Sequence, residues 1–542
     1  MKRCVALLLS LCLLLTALPA ALAEEAEESA PKVFSLEFKD QAEWVQKKNS
    51  KFGVSYWTAS AVYCANPTHS AQQSLALYVP LAYLNEDGTL NPDAQVGSYT
   101  AQTAPIIYWN SHGSYVGMVP FGIAGQSTRS TQKGWVLNMI AEGVVVCMVG
   151  ERGKQTTTED GSVIGVIGRG PVAIADLKAG VRFLKHNDAV IPSDSSRIIS
   201  VGTSSGGAMS ALLGASGNND YYEPYLEAMG AVMDETDDVY GTMAYCPITD
   251  LAHADYAYEW MFWEDTTGLS DFQKALSVKL REEFAVYFNA QGLTDENGQP
   301  LTVPEDGSKS GSFYDWLAAR YEAAFEDYAA RFETDYKGIA TYARAGAEDA
   351  LELSWLDYDA AQGKATLVTP EGFDSALDAM ILSGFRPRQK QVTSFDALEP
   401  LGTDNEIYGM QGSASGDPDS VRHFNQRIAE MIAELKDEFP EEYALYYDAF
   451  YEGSHDPEVV AWNTYLNALA FLTGEAESDV APNFRINIGV SDADTSPAVC
   501  AMLALLLEKN GSDAEFNLMW GWGHNDCDTP TGLLDWVKRI CP

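Results

Sequence analysis

The chain has 542 residues, 77 acidic against 35 basic side chains, and a formal net charge of −42. A surface this acidic repels phosphate backbones and anionic lipid headgroups, so nucleic acid and membrane surfaces are excluded as partners. The length exceeds what one compact core takes and implies a main domain carrying a large insertion or a second domain.

Residues 1–23 read as a secretory signal peptide. Lys2 and Arg3 give a positive start, residues 5–18 an apolar run too short for a membrane span, and Ala21-Leu22-Ala23 a small-residue cleavage site. Leu11 before Cys12 is too bulky for a lipoprotein signal. The expected location is therefore secreted or extracytoplasmic. An acidic stretch at residues 24–28 opens the mature chain. Short apolar runs at 105–109, 143–149, 197–201 and 241–245 read as buried strands, with an amphipathic helix at 173–185 between two of them. Strands alternating with helices indicate a mostly parallel, doubly wound α/β sheet covered on both faces.

After Cys246-Pro247-Ile248 the alternation stops. Residues 249–482 are richer in acidic and aromatic helical patterns, such as 315–342 and 423–439, and read as a mainly helical lid domain inserted late in the sheet. Acidic turns near Asp295 and Asp306 lack the spacing of a calcium loop. Strands resume at 484–490 and 515–520. The division is thus 1–23 leader, 24–248 first part of the core, 249–482 lid, 483–542 second part of the core.

Cys64, Cys147, Cys246, Cys500, Cys527 and Cys541 follow the leader without a CxxC pair. Export permits disulfides among them, while Cys147 and Cys246, in apolar runs, read as buried thiols. The seven histidines show neither an HExxH pattern nor paired spacing, so no metal and no cofactor are expected.

The chemistry centres on Gly202-Thr203-Ser204-Ser205-Gly206-Gly207. A strand enters this stretch and a helix leaves it. Such a tight turn exposes the Ser204 hydroxyl near a helix N-terminus, the nucleophile elbow of an α/β-hydrolase. In that fold the acid and then the base follow on later strand ends. His524 is the histidine after the last strand, in a loop. Asp492 and Asp494 compete for the acid. Asp492 lies nearer its strand end and is assigned to orient His524. The oxyanion hole takes one amide from Ser205 and one from the Asn110-Ser111-His112-Gly113-Ser114-Tyr115 loop, with Ser114 the candidate and His112 structural.

These motifs, together with Tyr245-Cys246-Pro247-Ile248, Ala257-Tyr258-Glu259-Trp260, Ser394-Phe395-Asp396 and Asp492-Ala493-Asp494-Thr495-Ser496, resemble the bacterial tannases of the lactobacillus type. The resemblance runs across most of the mature chain. It implies an α/β-hydrolase with an inserted lid that cleaves plant polyphenol esters, with Ser204, Asp492 and His524 as the triad. It further implies that Lys390, Asp404 and Asp494 bind the three phenolic hydroxyls of a galloyl group. The chain departs from the family with Asp404 in place of a glutamate, Ser114 in place of a glycine and Ala493 in place of a basic residue. Two other readings stay open: an esterase of hydroxycinnamoyl esters such as ferulate, and a non-catalytic binding protein on the same scaffold.

Overall fold

The computed structural model describes residues 32–122, 130–158, 167–331, 353–399, 404–409 and 422–542. The expected leader, the acidic start and the end of the helical stretch read at 315–342 lie outside these residues.

Residues 34–542 form one compact unit. Its frame is a nine-stranded sheet. In chain order the strands are β1 Val45–Asn49, β2 Val54–Val62, β3 Ser74–Pro80, β4 Ile106–Asn110, β5 Val145–Val149, β6 Ile198–Thr203, β7 Gly241–Tyr245, β8 Asn483–Gly489 and β9 Asp513–Met519. Their spatial order is β1-β2-β3-β5-β4-β6-β7-β8-β9. The first three strands and the β3–β5 pair are antiparallel, and every pairing from β5 to β9 is parallel. The six strands read from sequence all lie in this parallel part, whereas β1–β3 were not anticipated. β4, β5 and β7 are buried along their whole length, as strands covered on both faces must be. β1 is largely exposed and carries Lys47 and Lys48, charges that discourage edge-to-edge pairing.

Helices complete the layers. The main ones are α1 Val172–His186, α2 Ser205–Ala215, α3 Leu251–Phe262, α4 Asp271–Ala290, α5 Gly311–Arg331, α6 Gln426–Glu434, α7 Pro440–Ser454 and α8 Pro497–Lys509. α2 packs on β6 and β7, and α8 on β8 and β9. Pro497 occupies the first turn of α8, and Ser496 caps it by accepting from the Ala498 amide. Between β7 and β8, the described part of 249–482 adds no strand to the large sheet. It holds α3–α7 and a small hairpin, Leu356–Asp359 with Lys364–Leu367. α3 packs on α8, and the Ser496 hydroxyl donates to the Ala257 carbonyl at 2.7 Å. Among the described residues, no helix is long and apolar enough to cross a membrane.

Candidate active site

The carboxyl ends of β4, β6, β8 and β9 meet on one side of the sheet, where open α/β sheets place their ligands. β6 ends at Thr203, and Ser204 follows with φ 63° and ψ −125° before α2 begins. This left-handed backbone is strained for a serine. It is held by the Ser204 amide donating to the Tyr245 carbonyl at 2.9 Å, and by the Ser204 carbonyl accepting from the Ala208 and Ile248 amides. Gly206 makes the turn possible: a Cβ there would stand 2.5 Å from Asn110 Oδ1 and 2.7 Å from the His112 carbonyl.

The three residues read as nucleophile, base and acid come together in order. His524 Nε2 lies 2.7 Å from Ser204 Oγ, and His524 Nδ1 lies 2.9 Å from Asp492 Oδ2. Asp492 is fully buried, and its other oxygen accepts the Asp494 and Thr495 amides at 2.9 and 3.0 Å. The two loops are tied by Ser491, whose amide and hydroxyl both donate to the Trp522 carbonyl. Gly489 lets them approach, since a Cβ there would sit 2.4 Å from the carbonyls of Trp522 and Gly523. Burial works against charge on both partners, but their mutual attraction wins. His524 is held well above its usual value by the Asp492 carboxylate, and the Asp492 carboxyl is held low by His524 and Arg386. In this geometry His524 can take a proton from Ser204 once its own Nε2 is unprotonated.

The loop after β4 carries the second feature. Ser114 and Tyr115 have φ of 50° and 57°, the left-handed region that suits the glycine expected at position 114. Ser205, chosen for its amide, proves to act through its side chain as well. Its hydroxyl accepts the Tyr115 amide at 3.0 Å and donates to the His112 carbonyl at 3.3 Å, fastening this loop to the start of α2. Asn110 adds a bond from its amide nitrogen to the Gly206 carbonyl at 3.1 Å. His112 is buried with its Nδ1 at 3.1 Å from Glu151. The geometry is that of an ion pair, yet burial, with Lys154 nearby, pushes His112 down to about 3, while burial pushes the Glu151 carboxyl well up. Burial thus disfavours charge on both partners of this contact.

Lys390 and Asp404 also meet, Nζ to Oδ2 at 3.5 Å. Lys390 sits over the Phe395 ring at 4.1 Å. Both residues line a cavity of about 380 Å³ together with Ser114, Thr393, Ser394 and others. A second cavity, of about 260 Å³, holds Ser204 and His524 and shares Ser114 with the first. Asp494 is half-buried beside Asp492 and is not among the described residues lining the Lys390 cavity.

Sequence reasoning missed what fixes the Lys390 segment. The Tyr258 hydroxyl accepts the Lys390 amide at 3.3 Å and donates to the Ala493 carbonyl at 2.8 Å, linking that segment to the Asp492 loop. Arg388 pairs with the fully buried Glu259. Asp255 accepts the backbone amides of Ser394, Phe395 and Asp396, and burial still pushes its carboxyl up to about 7. The Ala257-Tyr258-Glu259-Trp260 motif pointed at this helix without giving it a task.

Cys246, Asp492 and His524 offer atoms within 4.8 Å of one another. A cation there would need the His524 Nδ1 lone pair, and that nitrogen faces Asp492 in the relay. Burial also holds the Cys246 thiol well above its usual range. All six described cysteines are free and buried, and Cys246 Sγ lies 3.6 Å from Cys527 Sγ.

Comparison with known proteins agrees with this fold. A family described as BD-FAE matches residues 168–291, which span the serine turn. No curated protein sequence matches the chain. Several solved structures do. A tannin acyl hydrolase in complex with 3,4-dihydroxybenzoate is 30% identical, covering 94% of this chain and 99% of its own, with a TM-score of 0.72. The tannin acyl hydrolase of Lactobacillus plantarum is 29% identical over the same shares, with a TM-score of 0.74. The tannase of Fusobacterium nucleatum is 27% identical, covering 94% of this chain and 100% of its own, with a TM-score of 0.73.

Proposed function

The chain belongs to the bacterial tannases, carboxylic ester hydrolases of the α/β-hydrolase fold, and we propose that it is an exported serine esterase hydrolysing galloyl and related polyhydroxybenzoyl esters. The observation that carries the reading is a complete Ser204–His524–Asp492 relay opening beside the Lys390–Asp404 cavity.

In this reading the acyl ring enters the Lys390 cavity and the ester carbonyl reaches Ser204. His524 Nε2 takes the hydroxyl proton as Ser204 Oγ attacks the carbonyl carbon. Asp492 holds the imidazole in the tautomer that can accept, and stabilises the imidazolium formed. The amides of Ser114 and Ser205 receive the negative charge that develops on the carbonyl oxygen. Collapse of the tetrahedral species breaks the bond to the alcohol, which leaves with the proton from His524. Water then attacks the acyl-enzyme with His524 again as base, releasing the acid and restoring Ser204. Asp404 accepts a hydrogen bond from a phenolic hydroxyl, and the Lys390 ammonium donates to a neighbouring phenol oxygen. Asp494 is the third contact that the family resemblance assigns. Residues 249–482 act as the lid over this end of the sheet, and residues 1–23 direct export. No metal or cofactor enters the scheme.

A panel of methyl gallate, methyl protocatechuate, methyl ferulate and an aliphatic methyl ester tests the substrate. The expected order puts gallate first, because it offers three hydroxyls to the acyl cavity. A clear preference for ferulate, which offers one, would replace this reading with a hydroxycinnamoyl esterase.

A further inference from the structure

The turn that carries the triad acid is backed from outside the sheet. Asp492 Oδ1 accepts the Asp494 and Thr495 amides. Two carbonyls of the same turn accept from side chains of the segment between β7 and β8. The Tyr258 hydroxyl donates to the Ala493 carbonyl, and one terminal nitrogen of Arg386 donates to the Thr495 carbonyl. The other terminal nitrogen of Arg386 donates to the Tyr321 hydroxyl of α5 at 2.8 Å. The guanidinium carbon lies 5.3 Å from the centre of the Phe262 ring. Arg386 and Tyr321 are both fully buried.

A buried guanidinium is costly in this setting. Both of its acceptors are uncharged, and its Nε has no acceptor among the described residues. An apolar side chain would fill such a space at less cost, so packing does not account for the charge. The charge has an effect at Asp492. Burial opposes ionisation of that carboxyl, and His524 and Arg386 hold it low. The relay needs the carboxylate ionised, to stabilise the imidazolium that forms as Ser204 attacks. We propose that Arg386 is a positioning residue for the triad acid, fixing the Asp492–Thr495 turn through the Thr495 carbonyl and setting a positive charge near the buried carboxylate. Being fully buried, it acts through Asp492 and not on the substrate. The segment between β7 and β8 thereby supports the relay as well as lining the Lys390 cavity. The assignment rests on the serine-esterase reading of the site.

Arg386 stands four positions before Lys390, so the relay has to be separated from the acyl cavity. Methyl gallate and methyl protocatechuate differ by one ring hydroxyl, and the ratio of their kcat/KM values reports that cavity. Arg386→Met should lower kcat on both esters by about ten- to a hundredfold, the loss of a hydrogen bond from a charged group. The ester ratio and both KM values should stay within about threefold of the parent, because the relay serves every ester and both halves of the reaction alike. Arg386→Lys keeps the charge and gives up the planar fork, so it should lose about three- to tenfold in the same pattern. Thermal melting is the folding control. A folded Arg386→Met with kcat within about twofold of the parent overturns the assignment. So does an ester ratio moved beyond the margin, which would place the effect in the Lys390 cavity. Where only Arg386→Lys folds, a kcat equal to the parent's overturns it. A parent inactive on both esters would instead overturn the esterase reading on which the assignment rests.

Discussion

Replacing Asp492 by asparagine probes the relay without emptying its space. Asp492 Oδ1 accepts two backbone amides and Oδ2 faces His524 Nδ1. An asparagine keeps one acceptor oxygen, and the two amides fix where it goes. Its NH₂ group then faces His524 Nδ1, which must become the acceptor. The ring proton moves to Nε2, which faces Ser204 Oγ and can no longer accept its proton. Loss of the right tautomer at an otherwise intact triad costs about 10⁴-fold in kcat, or roughly 5 kcal/mol of transition-state stabilisation. The pH profile gives a second readout. His524 is held above its usual 6.5 by Asp492. Below the His524 pKa the ring is already protonated and cannot act as base, so the acidic limb of kcat/KM for the parent should lie above 6.5. In Asp492→Asn the charge that raises it is gone, and the limb should move to lower pH. The assay is gallate release from methyl gallate between pH 5 and 9, with thermal melting as the folding control. A folded variant losing less than about tenfold in kcat, with an unmoved acidic limb, would refute the argument.

Lys390→Met should lower kcat/KM for methyl gallate by about ten- to a hundredfold, the loss of a charge-assisted hydrogen bond worth about 1.5–3 kcal/mol, and leave methyl benzoate largely unaffected. Equal losses on both esters would remove Lys390 from phenol recognition. Gly206→Ala should destabilise the fold by about 1–3 kcal/mol, because its Cβ would press on Asn110 and the His112 carbonyl; an unchanged urea midpoint would contradict that packing. The proposed leader predicts a mature chain that begins at Glu24 by N-terminal sequencing, and retention of residues 1–23 would contradict it.

The inner strands of the parallel half were legible because β4, β5 and β7 are short apolar runs buried along their whole length, while β9, at the sheet edge, is buried only at its end. The nucleophile was legible because a strand, a glycine-rich turn and a helix meet within a few residues. The candidate base followed from chain order, and the candidate acid from chain order together with its nearness to the strand end. β1 and β2 escaped because their pattern is weak: β2 mixes Ser55, Thr58 and Ser60 with aromatic residues, and β1 is mostly polar, whereas β3 is an apolar run, buried from Leu75 to Pro80, that was passed over. Antiparallel strands near a sheet edge need only one buried face, so β1 and β2 leave no continuous apolar run. Supporting contacts escaped for a different reason. Tyr258 reaches Ala493, 235 positions away, and the Ser205 hydroxyl reaches Tyr115, 90 positions away. No local pattern encodes such pairs. Lys390 and Asp404 were located only by family resemblance, and the fold then brought them to one cavity. Asp494, singled out first as a rival to Asp492 and then given a phenol-binding role by the resemblance, lies off that cavity's lining.

Methyl gallate hydrolysis by the parent and by Ser204→Ala tests the central claim most directly. The account predicts gallate release by the parent and a fall of about 10⁶-fold in kcat for folded Ser204→Ala, as for other serine hydrolases stripped of the nucleophile. Undiminished turnover in that variant would contradict it.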